Sequence, residues 1–259
     1  MACIVNNYEI HRQESRVRFT IQPPPIWLIF RVVNNLVAIH QLTKTKGGNT
    51  YDETLFGLIA DDLMNQGFSI RPGALPEAIS HALYSHQLEM NDAKYADAGI
   101  GRGDDFVKTE FVRTDEICWI TGESEAGRLW GDWIAKLQAF LNQRLFLGLF
   151  SFESHFAHYA PGAYYKRHYD AFRGEANRVL SIVTYLNPGW GLDDGGELVI
   201  YNNDRDLDGV KVVPLYGTLA IFLSEEFPHE VLPAARDRYS VAGWFRVNGS
   251  INNRIDPPR

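Results

Sequence analysis

Val179-Leu-Ser-Ile-Val-Thr-Tyr-Leu186, closed by Pro188-Gly189, is a run of strand length, rich in β-branched residues, with a turn signal at its end. Seven more runs of this kind lie around it: Phe156 to Tyr159, Tyr164 to His168, Glu197 to Tyr201, Val210 to Val213, Thr218 to Phe222, Glu230 to Pro233 and Tyr239 to Val247. Pro161-Gly162, Gly195-Gly196 and Asp208-Gly209 punctuate them as turns. Short strands separated by turns in this way predict a β-sandwich or jelly roll for the chain beyond Leu145.

On the N-terminal side of that block the period changes. Leu55, Leu58, Ile59, Leu63 and Met64 recur at helical spacing, with Gly67 where the helix should stop. A second helix is expected after Pro76, with Ile79, Leu83 and Tyr84. A third should run from Glu125 to Gln143 through Leu129, Trp130, Trp133, Ile134, Leu137, Phe140 and Leu141. These helices are expected to cover one face of a sheet. Between the last two, Ala98 to Trp119 carries Gly99, Gly101 and Gly103 and an extended patch near Phe106 to Val112, and reads as a mobile loop flanked by strands. Its glycines are not followed by Lys-Ser or Lys-Thr, so it is no phosphate loop. Residues 1–50, with Pro23-Pro-Pro25 and Lys46-Gly-Gly-Asn49, form an extension with no assigned role, and 248–259 a tail.

Composition narrows the classes. A chain of 259 residues, 45% hydrophobic and 22% charged, suits one large globular domain. Its net charge of −7 argues against nucleic acid or an anionic membrane as a general partner. Cys3 and Cys118 cannot build a disulfide framework. Ile26 to Val33 is broken by Arg31 and falls short of the roughly 20 residues a membrane helix needs. Glu9, Arg12, Glu14 and Arg16 interrupt any signal-peptide core, so a cytoplasmic location is expected, and the chain is taken as a monomer.

The chemistry gathers at three residues. His168 and Asp170 are one residue apart in a strand-like context, which puts both side chains on one face. With His229 they make two imidazoles and one carboxylate, a set that holds iron(II) and leaves positions open. A structural zinc site would want a fourth protein ligand. Beyond His229 come Arg238 and, at the next same-face position, Ser240. A guanidinium fork with a hydroxyl beside it suits the distal carboxylate of a dicarboxylic cosubstrate. The other histidines, His155 and His158 among them, carry no pattern.

Tyr159-Ala-Pro-Gly162, Tyr165-Lys-Arg-His168-Tyr-Asp170, Arg178 to Asn187, Gly195-Gly-Glu-Leu198, Phe222-Leu-Ser224, His229-Glu-Val-Leu-Pro233 and Arg238-Tyr-Ser240 with Trp244 together resemble the prolyl 4-hydroxylase branch of the Fe(II)/2-oxoglutarate oxygenases. Within that branch they are most similar to the hypoxia-sensing prolyl hydroxylases and their bacterial relatives. The resemblance spans about Asp52 to Val247. It implies a double-stranded β-helix core at about 150–247, inside a catalytic domain of 51–247 that packs its N-terminal helices on one sheet. It makes His168, Asp170 and His229 the iron ligands and Arg238, with Ser240, the anchor of the 2-oxoglutarate carboxylate. Tyr159, Tyr185 and Trp244 would line the cosubstrate pocket, with Tyr185 bonding the same carboxylate. Arg113 to Trp119 resembles the segment after the family's substrate-covering loop, and an Asp115 to Arg178 ion pair would hold it against the barrel.

The activity so implied is hydroxylation of a prolyl C4 in a protein, with succinate and carbon dioxide as co-products and ascorbate as reductant. No N-terminal zinc-finger domain can be formed from these cysteines, which favours a bacterial-type substrate such as a translation factor. An oxygenase of the same fold acting on a small molecule or free amino acid would share every one of these residues, and a non-catalytic jelly-roll module is the remaining alternative.

Overall fold

The computed structural model of the chain describes residues 48–90, 95–97, 112–171, 177–247, 250–251 and 254–255. The segment 1–47 and most of the loop expected at 98–119 lie outside them.

Helix α1 (Gly48–Gln66) starts a little ahead of Tyr51 and buries Leu55, Phe56, Ile59, Ala60 and Leu63, while Leu58 and Met64 face solvent. It ends where expected: Gly67 adopts φ +78°, and its N–H closes on the Leu63 carbonyl at 3.0 Å. A Cβ at Gly67 would lie 2.7 Å from the Phe227 ring, so the stop and the packing demand the same residue. Strand β1 (Phe68–Arg71) follows at once. Helix α2 (Glu77–Glu89) begins after Pro76. Helix α3 (Glu125–Leu145) is capped by Ser124, whose Oγ accepts from the Gly127 N–H at 3.0 Å, and it buries Trp130, Trp133, Ile134, Leu137 and Leu141 along one stripe.

Strands β2 (Ala96–Asp97), β3 (Glu116–Trp119), β4 (Ser151–Tyr159), β6 (Arg178–Tyr185), β9 (Leu219–Leu223) and β11 (Arg238–Arg246) join β1 in a seven-stranded antiparallel sheet of order β1-β9-β6-β11-β4-β3-β2. Strands β5 (Tyr165–His168), β7 (Leu198–Ile200), β8 (Val210–Val212) and β10 (His229–Val231) form a four-stranded sheet of order β5-β10-β7-β8. Two antiparallel sheets with helices on the larger one are the jelly-roll architecture that the strand pattern predicted. Strand β4 starts earlier than expected, at Ser151. Its first residues include the half-buried Glu153 and the buried His155, both paired with β11.

Side-chain alternation divides the larger sheet into two faces. Leu180 and Ile182 of β6, Val241 and Phe245 of β11, and Ile221 of β9 pack with the helices in the larger core. Tyr159, Tyr185, Ala220 and Phe222 turn the other way and pack with Leu198, Ile200, Val212 and Val231 of the smaller sheet. One segment links the sheets. Val112 accepts from the Lys166 N–H and Thr114 donates to the Tyr164 carbonyl, which lays this backbone along β5; shortly afterwards β3 is paired to β4 in the larger sheet.

Candidate metal centre

His168 is the last residue of β5 and His229 the first of β10, and the two are direct cross-strand partners. Their rings lie 4.3 Å apart between centroids. Asp170 sits just beyond the strand, so strand alternation does not aim it. It is fixed from β6 instead: Ser181 donates to Asp170 Oδ2 at 2.6 Å and meets Ser224 Oγ at 2.9 Å. Asp170 Oδ1 is 3.7 Å from His168 Nε2, and Oδ2 is 3.5 Å from His229 Nε2. One ligand atom from each of the three lies within 4.8 Å of the others.

The second ring nitrogens decide which lone pairs face this cluster. His168 Nδ1 is 2.7 Å from the Lys166 carbonyl and His229 Nδ1 is 3.1 Å from that of Phe227. A carbonyl only accepts, so each Nδ1 carries the proton and each Nε2 turns a lone pair inward. Burial, reinforced by His229, pushes the His168 imidazolium down to about 3, so this ring is neutral near pH 7. For Asp170 burial opposes ionisation, but His229, His168, Arg178 and the Ser181 hydroxyl outweigh it and hold the carboxyl well below its usual range. Imidazole nitrogens and one carboxylate, converging from one side, are a donor set for a divalent transition ion.

Arg238 enters from β11, on the face of the larger sheet that looks toward the smaller one. It is 1% exposed, donates from Nε to the Gly196 carbonyl at 2.8 Å and from one terminal nitrogen to Ser240 Oγ at 3.3 Å. Its guanidinium stands 4.9 and 5.1 Å from the ring centroids of Tyr159 and Tyr185. Among the described residues no carboxylate pairs with it. The Tyr185 hydroxyl is also buried and lacks a hydrogen-bond partner among the described residues, and burial, only partly offset by Arg238, pushes it up to about 12. A buried cation without a counter-ion beside an unsatisfied hydroxyl is costly unless a ligand completes both. An anionic oxygen acceptor would, and the distal carboxylate of 2-oxoglutarate fits.

Gly196 matters to this wall. It holds φ +69°, and a Cβ there would meet Ala234 Cβ at 2.9 Å and Arg238 Cδ at 3.1 Å.

Arg113, Asp115 and Arg178 do not combine as expected. Asp115 is buried and gripped at both oxygens by Arg113, at 2.7 and 2.6 Å. Arg178 pairs with Glu153 at 3.1 Å and lies 3.7 Å over the Trp244 ring. The Asp115 to Arg178 pair is therefore replaced by two separate pairs, because Glu153 reaches Arg178 from β4. Arg113 in turn lies 4.3 Å over the ring of Tyr165, which stacks on His168 at 3.6 Å and 14°. Tyr165, Ser181, Ser224 and Glu153 are site residues that sequence alone did not single out. The signal for Tyr165 was there, an aromatic at the strand start three residues before His168. Ser181 and Ser224 lie in motifs that carry the resemblance but had no role attached, and nothing marked Glu153; the roles of all three depend on cross-strand register. Trp244 turns to the inner face beside His155, with ring centroids 5.4 Å apart.

A jelly roll with a His-x-Asp…His cluster and a buried arginine on its inner wall defines a class, the mononuclear non-haem oxygenases. Known proteins point the same way. Residues 154–246 match the 2OG-Fe(II) oxygenase superfamily. The structure resembles a Pseudomonas putida prolyl-4-hydroxylase, with TM-score 0.66 and 41% identity over 75% of this chain and 100% of the other. It also resembles a Trichoplax adhaerens prolyl hydroxylase, solved with a hypoxia inducible factor peptide, with TM-score 0.66 and 27% identity over 79% and 94%. A prolyl 4-hydroxylase of Phytophthora capsici shares the fold, with TM-score 0.54 and 21% identity over 81% and 69%. The chain belongs to the prolyl 4-hydroxylase family of the 2OG-Fe(II) oxygenases, and it is an iron(II)- and 2-oxoglutarate-dependent dioxygenase. No helix among the described residues is long and apolar enough to cross a membrane.

Proposed function

We propose that this enzyme hydroxylates C4 of a prolyl residue in a protein, with His168, Asp170 and His229 holding iron(II) and Arg238 anchoring 2-oxoglutarate. The observation that carries the site assignment is the buried Arg238, paired with no carboxylate among the described residues, beside the open Tyr185 hydroxyl, on the inner face of the larger sheet while the two histidines stand on the smaller one. Iron(II) and 2-oxoglutarate, once bound, would let dioxygen act as the oxidant: one oxygen atom would enter the substrate C–H bond as hydroxyl and the other would enter succinate as 2-oxoglutarate loses carbon dioxide.

The protein's own residues do the rest. The inward Nε2 lone pairs of His168 and His229 and the Asp170 carboxylate would hold the ion. Arg238 pairs with the distal carboxylate, and Ser240 and Tyr185 add hydroxyl donors to it. Tyr159 and Trp244 line the pocket and limit water. The Arg113–Asp115 pair, stacked through Tyr165 onto His168, ties the segment that leads into β3 to the strand carrying His168 and makes it the place where a polypeptide would be felt.

Peptide substrate is further supported by the similarity to the Pseudomonas and Trichoplax prolyl hydroxylases, the second of which holds a peptide. Ascorbate is the proposed reductant, a translation factor the proposed class of partner, and the monomer the proposed state. The test is succinate release from 2-oxoglutarate with iron(II), with and without a cell lysate or a prolyl-peptide panel, read alongside mass spectrometry for the gain of one oxygen atom on proline. Peptide-stimulated turnover lost in His168→Ala and Arg238→Ala is the expected result. Stimulation by free amino acids alone would replace the protein substrate with a small one.

A further inference from the structure

Glu153 lies on the inner face of β4 directly opposite Trp244 of β11, and its side chain is 9% exposed. Few carboxylates are buried so deeply without partners, and this one has two cations. Oε1 accepts from Arg178 at 3.1 Å and Oε2 faces Arg246 at 3.4 Å. Arg246 is further tied by Nε to the Asn177 side-chain oxygen at 3.0 Å. Arg178 is therefore held from one side by Glu153 and from below by the Trp244 ring, at 3.7 Å. Its other terminal nitrogen reaches the backbone carbonyl of Asp170 at 3.5 Å. The guanidinium thus touches the main chain of the proposed metal ligand while its ion pair is made with Glu153.

We propose that Glu153 is a positioning residue that sequesters Arg178 and so keeps the Asp170 carboxylate free for the metal. This rests on the reading of Asp170 as a ligand. Without the Glu153 charge, two neighbouring guanidiniums share one wall, and for Arg178 the adjacent Asp170 carboxylate becomes the anion to turn to. A carboxylate engaged by a two-pronged guanidinium has lost the oxygens that a cation needs. Removing Arg178 as well removes the competitor, so the two substitutions should compensate rather than add.

The test is titration of the metal-free protein with Mn2+ alone, following free ion by electron paramagnetic resonance, with near-ultraviolet circular dichroism confirming the fold of each variant. Glu153→Gln is expected to raise the Mn2+ Kd about tenfold, as loss of an outer support of a metal ligand does. Glu153→Asp, which keeps the charge, should stay within about threefold of wild type. The double variant Glu153→Gln/Arg178→Gln should return most of the affinity. A Glu153→Gln affinity within about twofold of wild type, or a double variant weaker than the single one, overturns the proposal. If Glu153→Gln does not fold, Arg178→Gln decides alone: unchanged or tighter binding supports sequestration, and about tenfold weaker binding overturns it. Asp170→Ala separates the two layers of argument. If it binds Mn2+ like wild type, the ligand reading itself has failed; if it loses the ion while Glu153→Gln does not, only the sequestration has failed.

Discussion

The two faces of the seven-stranded sheet are built from the same strands and differ in the polar groups they bury. Toward the helices, Leu180, Ile182, Ile221, Val241 and Phe245 make an apolar layer with Ile59, Leu83 and Leu137. Toward the smaller sheet, the same strands bury Ser181, Tyr185, Arg238, Ser240 and, one strand over, His155. The first face holds the fold together by area removed from water. The second buries charges and hydroxyls that would be better solvated, and it keeps them where a ligand can finish their hydrogen bonds. Stability and chemistry are thus separated by the period of two in a β-strand.

That separation can be broken or sharpened by substitution. The largest effect is expected for Asp170→Ala, which should abolish iron-dependent succinate formation, a loss well beyond the roughly 100-fold typical of outer supports, while the metal-free protein stays folded. Phe245→Ala should do the reverse: about 3–5 kcal/mol of unfolding free energy lost in a denaturant titration, with turnover per folded molecule near wild type. Arg238→Met should raise the 2-oxoglutarate KM about 100-fold, the worth of a charge-assisted contact of about 2–3 kcal/mol. Because it replaces an uncompensated buried cation, it should leave the ligand-free protein as stable as before or more so. An Arg238→Met variant that unfolds readily would break the comparison.

The smallest effect concerns acid. Burial, deepened by Arg113, lowers His155 to about 4, against 6.5 for a free imidazole. A folded state that resists protonation is fully favoured above about pH 6.5, and that contribution drains away as the pH falls toward about 4. His168, lowered to about 3, adds a parallel loss that continues further down. His155→Gln should therefore flatten, without abolishing, the decline in unfolding midpoint of metal-free protein between about pH 6.5 and 4. An unchanged slope would remove His155 from the acid-sensitive wall.

Much of this was legible in the sequence, and what was hidden has a common cause. Strand runs and turn glycines are local, so the jelly roll could be read from Phe156 onward. The spacing of Arg238 and Ser240 is also local, and both do meet on one side of β11. Partnership across strands is not local. Asp115 was expected on Arg178, yet register hands Arg178 to Glu153 and leaves Asp115 to Arg113, two residues away. Asp170 was expected to be aimed by strand alternation, whereas the chain has left the strand and Ser181 does the aiming. Leu58 and Met64 fit a helical period but miss the stripe that α1 buries, because the contact face is set by where the sheet lies.

The Gly196 contact carries a lesson for anyone surveying this chain by random mutagenesis. The residue offers no functional group, yet its carbonyl receives Arg238 and the space above its α-carbon is already taken by Ala234 and Arg238. Loss-of-function alleles should therefore accumulate at a position with nothing to ligate or protonate, and they should score as cosubstrate-binding defects. What the site requires is the absence of a side chain, because its neighbours already occupy the space one would need.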